Sequence, residues 1–240
     1  MKSIFLLLLT FAAGATQARA QASPSQLYRF GEREVSIPAP EGFVEATSRS
    51  ETVKKFFEAT EAPALDLLAV HLPSDVMEKI ARGEYPDLEF YTKVSVSKDL
   101  RAADSSAADF SNLVSYLRAN SAKVFDFKSP EMQSQLNHQN KSLSELLKQD
   151  SKLDLSQPAN LGEIESTPNS YGVMLLTKVK LKSGGEEKEK LLISGASAVR
   201  VKNRMIWIYT YRTFNSENDA DILRAFTKRW LADIVRANAE

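Results

Sequence analysis

Residues 171–214, YGVMLLTKVKLKSGGEEKEKLLISGASAVRVKNRMIWIYTYRTF, decide the fold. They contain three runs rich in β-branched and aromatic residues, which favour strands, at 171–181, 188–201 and 205–214. Short turns join these runs, one with two glycines at 183–186 and one with an asparagine at 202–204. Both residue types accept the positive φ that tight hairpin turns need. Consecutive strands on such short turns must pair antiparallel, so the stretch predicts a three-stranded meander.

The C-terminal segment predicts an amphipathic helix that lies across this meander. We expect Ser216 to cap its start, while Asp219 and Asp221 in its first turn and Arg236 near its end suit the helix dipole. Its apolar side chains recur at helical spacing and form a single stripe: Ile222, Leu223, Phe226, Trp230, Leu231, Ile234 and Val235.

Shorter elements are expected upstream of the meander. A first hairpin turns at Gly31-Glu32, and the prolines within 38–43 halt regular structure after it because proline lacks an amide donor. Ser74 is expected to cap a short helix that stops near Gly83. The other expected elements are a helix at 50–59, a buried strand at 65–72 and a strand at 90–96.

The middle of the chain, about 105–150, changes character and predicts a helical insertion. Apolar residues recur at helical spacing from 107 to 124, and Ser129-Pro130 has the form of an N-cap followed by proline at the first helical position. The next run, 133–140, is nearly all polar, so we expect a solvent-exposed helix whose anchors are Leu136, Leu143, Leu146 and Leu147. Residues 156–162 are expected to form a loop.

These elements predict an α+β fold. We expect an antiparallel β-sheet covered by helices, a layered α/β/α sandwich with the C-terminal amphipathic helix on the three-strand meander. The predicted organisation is a single domain over 28–240, with the helical insertion at about 105–150 and a short polar leader at 21–27.

The N-terminus predicts a cleaved signal peptide at 1–20. Lys2 precedes a short apolar run, and small residues allow cleavage after Ala20 or after Ala22. The apolar run is too short to span a bilayer, which takes about 20 residues, so no integral membrane segment is expected after cleavage. The chain has no cysteine that could be acylated. We therefore expect a periplasmic or secreted protein that is not a lipoprotein.

Charge excludes two classes of partner. The whole chain has 31 basic and 31 acidic residues, and removal of Lys2 and Arg19 leaves the mature part slightly acidic. A nucleic-acid-binding protein would show a basic patch or stripe, and an anionic membrane surface would need a polybasic cluster. We expect neither nucleic acid nor a membrane surface as partner.

The candidate chemical groups do not form a recognisable site. His71 and His138 are the only histidines and there is no cysteine, too few ligands for a His/Cys zinc site. His71 is expected to be a satisfied core or edge residue, and His138 a solvated one. Ser197 lies in a Gly-x-Ser sequence, but Val199 stands where a nucleophile elbow needs glycine. The sequence therefore assigns no catalytic, cofactor-binding or metal-ligating residue and no cofactor.

Two further features admit a structural explanation. The small residues at 194–198 are expected to let another element pack closely, and Asp219 with Asp221 is explained by helix capping. Trp207, Tyr209 and Tyr211 share one face of a predicted strand while Ile206 and Ile208 share the other: a strand apolar on both faces is typical of a central, covered position. The alternative for the three aromatics is a platform for a hydrophobic ligand or a partner peptide.

Two segments resemble a known fold. In Val35–Phe43 a strand runs into a proline-rich turn before an aromatic, and the Val199…Trp207-Ile208-Tyr209 hairpin precedes a helix with Trp230 and Ile234. Together they resemble the fold shared by the PsbP photosystem II extrinsic proteins, the Ran-binding MOG proteins and uncharacterised bacterial exported proteins. The resemblance implies a non-enzymatic partner in a complex.

Three functions remain open from the sequence. The leading hypothesis is a non-catalytic exported protein that binds another protein of the cell envelope, with residues 105–150 supplying the contact surface. The alternative is a periplasmic carrier of a small apolar ligand or lipid in a pocket between sheet and helices. The third is a hydrolase without a recognisable motif, for which His71 with Asp66 or Glu89 are the candidates. Oligomeric state stays open.

Overall fold

A computed structural model describes residues 25–84 and 86–239. The expected signal peptide and its cleavage sites lie outside these residues. The strands are β1 (Gln26–Phe30), β2 (Arg33–Ile37), β3 (Phe43–Glu45), β4 (Leu65–Pro73), β5 (Phe90–Ser97), β6 (Ser151–Leu155), β7 (Ala159–Ser166), β8 (Ser170–Ser183), β9 (Glu186–Val201) and β10 (Arg204–Thr213). The helices are α1 (Glu51–Ala59), α2 (Ser74–Ala81), α3 (Ala107–Ala119), α4 (Ser121–Val124), α5 (Pro130–Leu147) and α6 (Asn218–Ala237).

The architecture is the expected α+β class, built on an antiparallel sheet. Eight strands form the sheet in the order β3-β4-β5-β10-β9-β8-β6, and β7 also pairs with β8. Strand β8 is long enough to hold two partners on one edge, with β7 along its first half and β6 along its second. The hairpin of β1 and β2 forms a separate two-stranded sheet.

The meander of β8, β9 and β10 is confirmed, and its turns follow the expected chemistry. Gly184 and Gly185 have φ of 58° and 86°, and Lys202 and Asn203 have φ of 46° and 54°. Positive φ at both central residues is the requirement of a type I′ turn, whose twist matches that of the flanking strands. These two turns set the register of the three longest strands.

Helix α6 covers one face of the sheet, as its apolar stripe predicts. Leu223, Trp230, Leu231 and Ile234 are buried, and three of them join one core cluster with strand residues such as Ile208. On the opposite face, α3 packs through Phe110 and Val114, and α1 through Val53 and Phe57. The layers are therefore helix, sheet, helix.

Polar contacts fix α6 to β2 and to the segment that follows it. The indole Nε1–H of Trp230 donates to the carbonyl of Pro38 at 2.8 Å. The side chain of Asn238, at the end of the helix, accepts from the amide of Ser36 at 2.8 Å and donates to its carbonyl at 2.7 Å. Both backbone groups of Ser36 are thereby satisfied by one amide side chain.

Small residues in β9 allow close packing, as expected for 194–198. A Cβ added to Gly195 would lie 2.5 Å from Thr210 Oγ1 and 2.8 Å from Ile164 Cδ1. Thr210 in turn bonds Thr227 of α6 at 2.8 Å between hydroxyl oxygens. Gly195 is thus the point where the helix and β7 approach the sheet backbone most closely.

Several expected boundaries were wrong. The loop expected at 156–162 includes the start of β7, whose exposed and bulged residues lack the alternating pattern of a half-buried strand. The polar leader at 21–27 overlaps β1, because Gln26 and Leu27 pair with β2. The single helix expected over 107–124 is divided at Asn120 into α3 and α4.

The expected caps at Ser74 and Ser216 were also wrong. Neither makes the side-chain cap bond, because α2 follows Pro73 directly and Ser74 Oγ donates to the Gly42 carbonyl instead. At the start of α6 the cap is reversed: Asp219 reaches back and accepts from the amides of Asn215 and Ser216. Ser50, Ser106 and Ser129 cap their helices as side-chain acceptors.

We predict that Trp230→Ala lowers the free energy of unfolding by about 3–5 kcal/mol, because it removes a fully buried aromatic side chain. Trp230→Phe keeps an aromatic ring but loses the bond to Pro38, and should cost about 1–3 kcal/mol. Urea unfolding of the two variants and the wild-type protein measures both effects. Wild-type stability in Trp230→Phe would show that the indole bond contributes nothing.

Candidate functional site

The sheet face opposite α6 is incompletely covered at its centre. Strands β5, β10 and β9 lie inside the sheet, yet five of their side chains on this face are only half-buried: Tyr91, Lys93, Ser194, Tyr209 and Tyr211. We call these five side chains, with the space above them, the tyrosine recess. On the α6 side of the same strands, Thr92, Val94, Ile208 and Thr210 are fully buried.

Strand register places the floor residues side by side. Tyr211 is paired with Tyr91 of β5 and with Ser194 of β9, and Tyr209 is paired with Lys93. The Tyr91 and Tyr211 rings stack with centroids 4.6 Å apart and planes 18° apart. Tyr209 and Tyr211 are 6.4 Å apart with planes 22° apart. Rings stacked on one another in this way stand up from the sheet, with their hydroxyls at the outer ends.

The walls of the recess come from helices on two sides. On one side Phe57 of α1 packs against Tyr91 with ring centroids 5.5 Å apart. On the other, Leu113 and Leu117 of α3 join the cluster that contains Trp207. The recess therefore has apolar walls and a floor that carries hydroxyl groups.

A buried ion pair closes one end of the floor. Lys93 Nζ lies 3.0 Å from Glu61 Oε1, and Ser95 Oγ donates to Glu61 Oε2 at 2.7 Å. The two charged side chains are only 14% and 6% exposed. The Lys93 ammonium also lies over the Tyr209 ring, 4.9 Å from its centroid. Because the carboxylate neutralises the ammonium, the recess presents no net charge at this end.

The tyrosine hydroxyls are free to bind. Burial raises the pKa of Tyr91, Tyr209 and Tyr211 above the ordinary value, so the phenols stay protonated at neutral pH. None of the three hydroxyls has a hydrogen-bond partner among the described residues. The buried side-chain oxygens that lack a partner there belong to other residues, Tyr28, Ser197 and Thr213. Because Tyr91, Tyr209 and Tyr211 are half-buried rather than fully buried, their hydroxyls remain donors for an incoming acceptor.

The sequence predicts the strand position of the aromatic side chains correctly, but it does not predict that they are half-buried. Tyr209 and Tyr211 do lie on a central strand with Ile206 and Ile208 on the other face. Their side chains are half-buried, so they are not enclosed in the core as those of a covered strand would be. The floor also includes Tyr91 and Lys93, which β5 contributes through a pairing between distant parts of the chain.

Helix α5 is more firmly attached than its polar sequence predicts. Gln139 Nε2 donates to the Thr60 carbonyl at 2.8 Å, at the end of α1. Asn140 accepts from the amide of Leu153 at 2.7 Å and donates to its carbonyl at 3.1 Å. Among the expected leucine anchors Leu136 and Leu143 are buried, Leu146 is half-buried and Leu147 is 40% exposed. His138 is exposed, as expected.

His71 is sealed under α6. Its side chain is 1% exposed, its Nδ1 lies 3.0 Å from Thr92 Oγ1, and its ring meets the Trp230 ring edge-on at 5.3 Å. Its cross-strand neighbour is Glu45, whose carboxylate accepts from the amides of Thr47 and Ser48. Burial lowers the pKa of His71 to about 4, so the imidazole is neutral at neutral pH.

The expected enzyme candidates are not brought together. Asp66 pairs with Arg101 at 3.0 Å, and it is five residues from His71 along β4, about 17 Å in an extended strand. Glu89 lies three residues beyond Thr92, the cross-strand partner of His71. The missed neighbour is Glu45, which no local pattern in the sequence connects to His71.

The remaining sequence candidates have structural roles. Ser197 is 1% exposed in the middle of β9, with no partner for its hydroxyl among the described residues. Asp219 caps α6 and pairs with Arg212 at 2.7 Å, and these bonds, with the Arg212 contact first, lower its pKa to about 2. Within residues 25–84 and 86–239, no three His, Asp or Glu side chains are grouped to hold a metal.

Two open clefts lie elsewhere. One of about 320 Å³ lies where α3 ends near β7, and its lining includes an ion pair between Arg118 and Glu163 with nitrogen–oxygen distances of 2.7 and 3.0 Å. A larger groove, about 940 Å³, runs between the β1–β2 hairpin and the β9–β10 turn. Arg33 and Lys202 in that groove donate to backbone carbonyls and hold the hairpin in place. The helices of the described part include none long and apolar enough to cross a membrane.

The chain is similar in structure to proteins of low sequence identity. No family model and no curated protein matches the chain. A point mutant of the protein Mog1 is similar in structure, with 10% sequence identity over 89% of this chain and 94% of that one and a TM-score of 0.33. The Saccharomyces cerevisiae Ran-binding protein Mog1p shows 11% identity, 90% and 95% coverage and a TM-score of 0.32. Both fall on the MOG side of the expected resemblance, and at these scores neither carries a functional argument.

We predict that acid destabilises the fold through His71. A folded-state pKa near 4, below the ordinary 6.5, favours the neutral imidazole, so this contribution is complete above pH 6.5 and is lost as pH falls toward 4. The loss should approach about 1 kcal/mol per pH unit across that window. Urea unfolding at pH 7.5, 5.5 and 4.5 measures it, and His71→Asn, which cannot titrate there, should show a smaller decline. Equal declines in both proteins would contradict the assignment.

Proposed function

We propose that this chain is an exported, non-catalytic protein of the periplasm or the cell exterior that binds another protein of the envelope. The partner contacts the tyrosine recess and the helices of residues 105–150 that border it. The observation that carries the proposal is the half-buried, tyrosine-lined floor at the centre of the sheet, opposite side chains of the same strands that α6 buries fully.

The distribution of chemical groups supports binding over catalysis. His71, Ser197 and Asp219, the groups best suited to proton transfer or nucleophilic attack, are all buried, and His71 and Asp219 are bonded to Thr92 and Arg212. On the recess side, the half-buried groups include phenols, whose raised pKa keeps them protonated at neutral pH and makes them poor bases. Such groups orient and hold a bound molecule.

The lining favours a protein segment over an apolar cargo. A carrier of a small apolar molecule needs a largely apolar cavity, whereas the recess floor carries three phenol hydroxyls, the Ser194 hydroxyl and an ion pair. Tyrosine is enriched at protein interfaces because its ring contributes apolar area and its hydroxyl a polar contact. The polar outer face of α5, with His138, Lys141 and Glu145 exposed, suits the rim of such an interface.

We predict that filling the recess abolishes partner capture. Ser194→Phe places an aromatic side chain beside Tyr211, and the volume it takes is no longer open to a partner. The control is Ala225→Phe, which adds the same group to the exposed surface of α6 on the opposite side of the sheet. Both tagged variants and the wild-type protein would be incubated with a native envelope extract, and captured proteins compared by quantitative mass spectrometry.

The expected result is a protein captured by the wild type and by Ala225→Phe and reduced at least tenfold with Ser194→Phe. Circular dichroism and urea unfolding of Ser194→Phe establish that it is folded. Capture by a folded Ser194→Phe equal to that of the wild type would contradict the proposed site.

A further inference from the structure

We infer that the tyrosine recess receives an extended, uncharged polypeptide segment of the partner, whose backbone carbonyls accept hydrogen bonds from the hydroxyls of Tyr209 and Tyr211. This inference rests on the proposed function and specifies the form and chemistry of what is bound.

The spacing of Tyr209 and Tyr211 matches that of the carbonyls in an extended chain. The Tyr209 and Tyr211 rings are 6.4 Å apart and nearly parallel, with 22° between their planes, so their hydroxyls are separated by a similar distance. In an extended chain the carbonyls that point the same way belong to residues two apart, and they repeat every 6.4–6.8 Å, about two rises of 3.2–3.4 Å. Two such carbonyls of one segment can meet the two hydroxyls together.

The phenol hydroxyls of Tyr209 and Tyr211 are hydrogen-bond donors. The phenols remain protonated at neutral pH, because burial raises the pKa of Tyr209 and Tyr211, and neither has an acceptor among the described residues. A phenol can satisfy a backbone carbonyl that loses its water on binding. An unpaired buried carbonyl costs about 1–3 kcal/mol, so a segment could not enter the recess without these donors or their equivalent.

The charged groups at the floor of the recess already neutralise each other. Lys93 is already paired with Glu61 at 3.0 Å, and Ser95 completes the coordination of that carboxylate. A charged side chain of the partner would have to break this pair or enter without a counter-charge, and removing one partner from a buried pair is strongly unfavourable. The segment that fits is therefore uncharged where it crosses the floor, with apolar side chains toward Phe57 and Leu117.

Two free edges of the sheet, those of β7 and of the first part of β9, are poor alternatives for an extended segment. In edge strand β7 the carbonyls of Leu161 and Glu163 accept from Arg224 of α6, and the strand is bulged. The exposed part of β9, 186–190, consists only of glutamate and lysine, in the order Glu-Glu-Lys-Glu-Lys. Bulges and charged side chains are the devices by which edges resist added strands.

The test uses hydroxyl deletion, which keeps the rings. Tyr209→Phe and Tyr211→Phe each remove one donor, and Tyr28→Phe is the matched control because its hydroxyl is a buried oxygen without a partner, away from the recess. The probe is a phage-displayed library of random linear dodecapeptides selected on the full mature protein. Enriched peptides are then synthesised with blocked ends and their Kd measured for each variant.

The expected result is that enriched peptides lack charge over four or more consecutive residues and bind two- to tenfold more weakly to each recess variant. A net hydrogen bond is worth about that factor. Binding to Tyr28→Phe should equal the wild type, and urea midpoints should be unchanged. Two results would overturn the inference. One is that no enriched peptide loses its binding to Ser194→Phe. The other is that the peptides bind the wild type and both recess variants with equal affinity.

The same variants separate this inference from the proposed function. If the envelope partner is lost with Ser194→Phe but retained in full by Tyr209→Phe and Tyr211→Phe, the recess is the binding site and the carbonyl contacts are wrong. If Ser194→Phe also retains the partner, the site itself is wrong. Weakened capture by the two phenylalanine variants supports both.

Discussion

The burial of the inner face of α6 against the sheet organises most of the molecule. Trp230, Leu231 and Ile234 enter the largest core cluster. Trp230 bonds the Pro38 carbonyl just after β2, and Asn238 bonds the backbone of Ser36 within β2. Through these bonds the last helix holds the first hairpin against the sheet. At the other end of the hairpin, Arg33 donates to the Lys202 carbonyl and Arg204 of β10 donates to the Phe30 carbonyl.

Because α6 buries one face of the sheet, the opposite face is the one on which we propose that the chain binds. Gly195 and the pair of Thr210 with Thr227 bring α6 into close contact with the sheet. On the opposite face, α1 and α3 pack in separate clusters, and Tyr91, which touches Phe57 of α1, pairs with Tyr211 between them. The recess is thus a consequence of how the helices of the second layer divide the sheet.

The sequence predicts those parts of the fold that local pattern determines. Alternation and turn residues give the meander, and helical spacing gives α6 and the apolar side of α3. Strand β7 was missed because six of its eight residues are exposed and bulges break the alternation. The site was found only in part: Tyr209 and Tyr211 share a strand, but Tyr91, Lys93 and Glu61 reach the floor through strand pairing and a loop more than a hundred residues away. The pairing of His71 with Glu45 was missed for the same reason.

Hydroxyl-radical footprinting tests the central claim most directly, since it reports the solvent access of individual aromatic side chains. In the free protein Tyr91, Tyr209 and Tyr211 should be oxidised measurably, and Trp230, which is 2% exposed, should be protected. Saturation with the captured partner should protect the three tyrosines while Phe226 on the α6 side keeps its rate. Tyrosines that are unreactive in the free protein, or whose rates do not change with partner, would contradict a binding site at this recess.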